Sequence, residues 1–227
     1  MGSDDLHGKR KARASAELQR KIKNRAQSQR FLIVCEGTKT EPNYLKELVT
    51  SLGIRPQTVT IARNDGSSPD RIVTRALELY EEDTLGGESF DRVFCVFDRD
   101  THTTFEASVQ RIQDLKRAPK PKPVEAITSS PCFEYWLLLH FGVTDQPFHA
   151  AGKKSVCDKL TAQLRTKPGF KTYSKGQQEI YALLKDKTPT AIAAAKRVRQ
   201  SAEATGQKTP LTHVDTLVEA LLALTRP

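Results

Sequence analysis

Short apolar runs alternate with amphipathic segments along the first two thirds of this chain. Residues 31–35 and 93–97 are five apolar residues each, rich in β-branched and aromatic types. Such runs are typical of strands buried on both faces of a parallel sheet. The whole pattern predicts strands at 31–35, 57–62, 91–98 and 124–128, and helices at about 41–52, 69–83, 104–117 and 132–141.

Strands that alternate with helices through short loops indicate parallel βαβ units, so the predicted fold class is α/β. Beyond Gly142 the pattern becomes helical alone. We expect a basic leader over 1–29, a core of parallel sheet and flanking helices over 30–150, and a helical C-terminal extension over 151–227, packed on that core. The helices expected in the extension are 153–165, 175–186, 188–204 and 213–224.

Acidic residues follow two of the predicted strands. Glu36 comes directly after one apolar run, and Asp98 and Asp100 come after another. Because ligands bind at the carboxyl ends of strands in open α/β sheets, we expect these three carboxylates to converge. Side chains two apart on a strand point the same way, so both aspartates could contact one ion. This predicts a Mg²⁺ site, with Mn²⁺ as a substitute, and phosphate chemistry; the alternative is acids in solvated turns.

Three further residues have two interpretations each. Glu134 lies in an apolar helical run, where a buried carboxylate needs a partner or a metal, although it could also stabilise the helix N-terminus. Glu41 falls in the first turn of a predicted helix, so capping explains it and we rank it below Glu36. His102 is a candidate acid or base, or an exposed loop histidine.

Two residues are candidate contacts to a substrate phosphate. Lys39 could meet the phosphate as a point charge, and the Ser130 hydroxyl at a helix start could bind it. A solvated loop lysine and a helix cap are the respective alternatives. The chain has no Gly-rich nucleotide-binding motif, so we do not expect it to hydrolyse ATP.

Charge is concentrated at the N-terminus. The 227-residue chain has a net charge of +9, and residues 1–30 hold nine Lys or Arg against three Asp or Glu. A leader with so few large apolar residues cannot fold alone. It could bind nucleic-acid phosphates, or it could be a solubilising tail.

The cysteines and the apolar runs bear on localisation. The four cysteines stand singly, without a Cys-x-x-Cys pair, so we expect neither a zinc site nor a disulfide. The apolar runs are too short to span a membrane, and no secretory signal is recognisable. We therefore expect a cytoplasmic protein.

Three motifs resemble those of the RloB-like proteins, of the abortive-infection AbiL type. They are CEGTKTEPNY at 35–44, FDRD at 97–100 and SPCFEYWLLLHF at 130–141, and the resemblance extends over about residues 30–224, including 173–175. This family is similar to Toprim proteins, which carry a Glu after the first strand and Asp-x-Asp after the third. The resemblance thus implies a Toprim-like sheet, with Glu36, Asp98 and Asp100 as metal ligands.

The same resemblance implies an activity. It points to a Mg²⁺-dependent nuclease that cleaves RNA, such as tRNA, or DNA, as the effector of an anti-phage abortive-infection system with an ATPase partner. Related Toprim nucleases add an acid, matched here by Glu134, and a lysine, for which Lys153, Lys154 and Lys159 are candidates. The alternative is a non-catalytic nucleic-acid-binding or regulatory subunit of that ATPase. The sequence leaves open whether the protein forms a homo-oligomer.

Overall fold

The computed structural model describes residues 29–63, 66, 68–99, 102–144, 155–206 and 210–225. Three of the predicted site residues, Asp100, Lys153 and Lys154, lie outside the described residues. So does nearly all of the basic leader.

Parallel pairing dominates the sheet. β1 (Phe31–Cys35) lies between β2 (Val59–Arg63) and β3 (Arg92–Asp98) and is parallel to both. β4 (Val124–Ser130) is parallel to β3, and the two-residue β5 (Leu211–Thr212) pairs with β4 in the antiparallel sense. The strand order in the described residues is β2-β1-β3-β4-β5. The predicted α/β class is confirmed, and the sheet is consistent with a Toprim-like fold.

Helices cover both faces of this sheet. No helix among the described residues is long and apolar enough to cross a membrane. The helices are α1 (Thr40–Ser51), α2 (Pro69–Leu85), α3 (Phe105–Arg117), α4 (Glu134–Leu139), α5 (Val156–Leu164), α6 (Ile180–Leu184), α7 (Thr188–Thr205) and α8 (Val214–Ala223), with a 3-10 turn at Lys185–Lys187.

Alternation along β1 divides the core into two layers. Leu32 and Val34 join a cluster with α2 and α3, whereas Ile33 and its alternate neighbours join a larger cluster on the other face. That larger cluster includes residues of α1 and α4 together with α5, α6, α7 and α8. The C-terminal helices therefore share one continuous core with the sheet.

The predicted helix over 175–186 is wrong in its first half. The chain is not helical before Ile180, and only α6 and the following 3-10 turn are helical up to Lys187. Gly176 has a φ of 86° and Glu179 a φ of 61°, which an α-helix cannot contain. The predicted helix over 132–141 is also shorter, since α4 begins at Glu134, and the short β5 was not predicted.

The expectation that no disulfide forms is wrong. Cys132, just before α4, is bonded to Cys157 on α5, with their Cα atoms 6.1 Å apart. The two cysteines are separated by 25 residues and meet only because α4 and α5 pack together. Spacing rules detect local pairs and so could not find this one.

A buried ion pair joins α7 to α8. Arg199 donates to both carboxylate oxygens of Asp215, at 2.5 and 2.6 Å, and to the carbonyl oxygen of Thr212 at 2.6 Å. Asp215 is fully buried. We expect Arg199→Met to lower the free energy of unfolding by about 3–5 kcal/mol, because it leaves a buried carboxylate unpaired.

Chemical denaturation would measure that loss. Lys196→Met is the matched control, because Lys196 lies on the same helix and pairs with Glu219 at 2.6 Å, with the two side chains 47% and 43% exposed. This control should change stability by less than about 1 kcal/mol. Equal losses in the two variants would contradict the assignment of a buried ion pair.

Candidate functional site

The ends of β1 and β3 bring two of the predicted acids together. The strands are parallel neighbours with Cys35 opposite Val96, so the residues that follow each strand emerge at the same edge. Glu36 accepts a hydrogen bond at 2.9 Å on Oε2 from the backbone N–H of Asp98. Glu36 and Asp98 therefore meet at the carboxyl edge of the sheet.

The chain beyond β4 adds a third side to this site. The backbone N–H of Phe133 donates to Asp98 Oδ2 at 3.2 Å. The next residue, Glu134, is only 2 % exposed. Glu134 and Asp98 line the same pocket, so the carboxylate of Glu134 lies near that aspartate instead of facing solvent.

These elements enclose a pocket of about 220 Å³. Its wall combines carboxylates, a glycine-containing loop and two lysines. The lining residues are Gly37, Thr38, Lys39, Thr40, Glu41, Asp98, Phe133, Glu134 and Lys175.

Glu41 is a site residue that sequence reasoning undervalued. It lies in the first turn of α1, as predicted, but its side chain is buried and lines the pocket. A Cβ at Gly37 would collide with the Glu41 carboxylate, so the glycine makes room for it. The sequence contains a pattern that indicates this role: Glu36 and Glu41 stand on either side of a glycine-containing loop between a buried strand and the start of a helix.

Crowding of the carboxylates changes their acidity. Burial, with the added charges of Glu134 and Glu36, raises the pKa of Glu41 to about 7. Burial and the charges of Glu41, Glu134 and Glu36 hold the pKa of Asp98 well above its usual range, although the Phe133 amide opposes this. The pocket thus gathers more acid groups than it can keep ionised, and a cation would relieve the repulsion.

Lys175, one of the two lysines of the pocket, lies in the C-terminal extension. Lys175 Nζ lies 3.9 Å from Glu134 Oε1, and the Tyr173 hydroxyl donates to the same oxygen at 3.3 Å. Sequence reasoning did not single out Lys175. Lys159 lies on α5 and does not line the pocket. The link between 173–175 and the acids is non-local, so only the segment's place in the family resemblance could have suggested it.

The remaining predicted residues are divided between the pocket and its surroundings. Lys39 lines the pocket. His102 Nε2 lies 2.9 Å from Glu36 Oε1, so this histidine contacts the candidate site. Ser130 does not line the pocket, and its buried hydroxyl has no hydrogen-bond partner within the described part of the chain.

The donor chemistry of this site fits a divalent cation. Carboxylate oxygens are the ligands that Mg²⁺ and Mn²⁺ prefer, and a cation would offset the repulsion that raises the pKa of Asp98. Among the described residues, however, no three Asp, Glu, His or Cys side chains already form a metal-binding group. Metal binding would therefore require carboxylates to turn from their present hydrogen bonds.

Comparison with known families agrees with the motifs. The model of the family described as RloB-like protein matches residues 31–221. This chain belongs to the RloB-like family. The match extends from β1 into α8, so the family region includes both the acids at the sheet edge and the lysine segment. Neither curated proteins nor solved structures give a significant match.

The crowded acids predict an unusual pH dependence of stability. With a pKa of about 7 against an ordinary 4.5, Glu41 keeps its proton in the folded state while the unfolded chain loses it. In EDTA, the free energy of unfolding should fall as pH rises from about 4.5 to 7, by up to about 3 kcal/mol from this group.

Denaturation of Glu41→Gln across the same pH range tests this directly. The variant should be more stable than wild type at pH 7 and show a flatter profile. Glu203→Gln, at an exposed position on α7, should retain the wild-type slope. Parallel profiles for wild type and Glu41→Gln would contradict the proposed crowding.

Proposed function

We propose that this protein is a divalent-metal-dependent nuclease that cleaves a phosphodiester bond in RNA, such as tRNA, or in DNA. The observation that carries this proposal is one pocket lined by Glu41, Asp98 and Glu134 with lysines at its wall. Glu36 lies directly beside it, where it accepts a hydrogen bond from the backbone N–H of Asp98. Buried like charges cost stability, and a protein retains them where function requires them.

The roles of the acids follow from their positions. Glu36 and Asp98 would hold Mg²⁺ or Mn²⁺, with Asp100 as the further ligand that the resemblance implies. When bound, the metal supplies charge to polarise the phosphate and to neutralise the developing negative charge. Glu41 would accept a proton from the attacking water as its oxygen bonds to phosphorus and the P–O bond to the leaving sugar oxygen breaks, because a carboxyl with a pKa of about 7 is matched to proton transfer near neutral pH.

The lysines would orient the substrate. Lys39 and Lys175 lie at the pocket wall and are exposed, so both can reach a phosphate group that approaches from solvent. An ammonium group pairs with phosphate oxygens as a point charge and needs no fixed angle. The chain as a whole carries a net charge of +9, which favours the approach of a polyanion.

The biological setting rests on family resemblance. We propose that the nuclease is the effector of an anti-phage abortive-infection system and acts with an ATPase partner in the cytoplasm. The absence of a nucleotide-binding motif from the sequence is consistent with a separate ATPase.

Substitution of the acids tests the nuclease directly. The purified chain, alone and with the proposed ATPase partner, would be incubated with tRNA, other RNA and DNA in Mg²⁺ or Mn²⁺. We expect wild type to cleave, and Glu36→Gln and Asp98→Asn each to lose roughly 100-fold or more in kcat/KM. Asp114→Asn, at an exposed position on α3, should retain activity.

Loss of activity in these variants should not reflect unfolding. An amide at 36 or 98 can still accept the backbone hydrogen bond, and it removes a crowded negative charge, so Tm should be unchanged or higher. Intact substrates with wild type under all conditions would overturn the nuclease and favour the non-catalytic subunit. Full activity in both acid variants would overturn the assigned site.

Lys175→Met tests the lysine. We expect kcat/KM to fall roughly 10-fold to 100-fold, and the slope of log affinity against log salt to decrease by about 1, since one phosphate contact is removed. Lys171→Met is the matched control, because Lys171 is exposed in the same segment but does not line the pocket. Equal losses of kcat/KM in Lys175→Met and Lys171→Met would show that activity depends on the positive charge of the segment and not on the position of Lys175.

A further inference from the structure

One polar face of α1 holds the segment that carries Lys175. Thr40, Asn43 and Glu47 are spaced three and four residues apart, so they lie on the same side of the helix. All three contact the backbone between residues 176 and 181, more than 130 residues away in sequence. We refer to these three residues as the α1 clamp.

The clamp satisfies backbone groups that no regular element pairs. At its first point the Gly176 N–H donates to Thr40 Oγ1 at 3.0 Å, and Asn43 Nδ2 donates to the Gly176 carbonyl oxygen at 3.1 Å. At its second point the two oxygens of Glu47 accept from the N–H groups of Glu179, at 2.6 Å, and Tyr181, at 2.8 Å. Hydrogen bonds to a charged group are stronger than neutral ones.

Gly176 is shaped for this close contact. Its φ of 86° is a conformation that residues with a side chain rarely adopt. A Cβ there would also lie 2.9 Å from the Cβ of Lys39. The segment therefore approaches the start of α1 closely at the residue directly after Lys175.

Apolar packing does little to hold this segment. Ser174, Lys175 and residues 178–179 are exposed, and the buried anchors Tyr173 and Ile180 stand at its two ends. Fixing several backbone residues between such anchors costs conformational entropy that contacts must offset. The clamp supplies three hydrogen bonds in this interval and a fourth at Tyr181, directly after Ile180.

We propose that Thr40, Asn43 and Glu47 are positioning residues that hold Lys175 at the mouth of the acidic pocket, so that the C-terminal extension completes the site. This inference rests on the proposed nuclease function for its catalytic consequence. The docking of the segment on α1 can be tested without any activity.

Hydrogen exchange measures the docking. In Glu47→Ala, the amides of Glu179 and Tyr181 should exchange about ten-fold faster or more, since each loses a hydrogen bond to a charged acceptor. Asn43→Ala removes the hydrogen bond to the Gly176 carbonyl oxygen, and the loosened segment should then also expose the Gly176 amide, which donates to Thr40, to faster exchange. Glu47→Gln keeps an acceptor oxygen and should give an intermediate effect. Thr50→Ala, at an exposed site on the same helix, is the control and should match wild type.

A double-mutant cycle measures the link to Lys175. Asn43→Ala and Glu47→Ala should each lower kcat/KM, by no more than Lys175→Met does. Combined with Lys175→Met, neither should cause a further loss, because a residue that acts only through Lys175 has nothing left to position. If Asn43 and Glu47 only stabilised the fold, each substitution would lower kcat/KM further when combined with Lys175→Met.

The outcomes separate the two proposals. Unchanged exchange in both clamp variants would overturn the docking, and losses that multiply with Lys175→Met would overturn the positioning role. If wild type cleaves no substrate, the proposed function and the catalytic consequence fall together. Accelerated exchange in the clamp variants would then still support the docking of the segment on α1.

Discussion

Repulsion among buried carboxylates is the constraint on which the rest of this site depends. Parallel pairing of β1 with β3 places Glu36 beside Asp98, and the chain after β4 turns back so that Phe133 and Glu134 face the same point. The start of α1 adds Glu41. Burial raises the pKa values of Asp98 and Glu41, and the charges of the neighbouring carboxylates raise them further, so protonation relieves the crowding in the absence of a cation.

Both halves of the chain therefore contribute residues to the site. The part of the chain before the C-terminal extension supplies the acids and Lys39, whereas the ion pair with Glu134 comes from Lys175. The shared core and the α1 clamp bind the C-terminal helices to the sheet. The C-terminal extension therefore covers one face of the sheet and also contributes Lys175 to the site.

Local signals in the sequence were sufficient for the four parallel strands and for two of the acids. A five-residue apolar run that ends in an acid predicts both a buried strand and a carboxylate at the sheet edge, and Glu36 and Asp98 lie where this pattern places them. Glu41 was undervalued because a first-turn glutamate already has a structural explanation. Lys175 and the Cys132–Cys157 disulfide depend on contacts between distant segments, which periodicity does not encode. The prediction of a helix over 175–186 is wrong in its first half for a similar reason. The distant residue Glu47 accepts hydrogen bonds from the backbone of that segment and holds it in another conformation.

Anomalous scattering from a crystal soaked in Mn²⁺ would locate the metal among these acids. We expect a peak between the carboxylates of Glu36 and Asp98, with oxygen ligands at roughly 2.0–2.4 Å, and its loss in a crystal of Asp98→Asn. A well-ordered pocket without a peak, at a Mn²⁺ concentration and pH that keep the acids ionised, would contradict it.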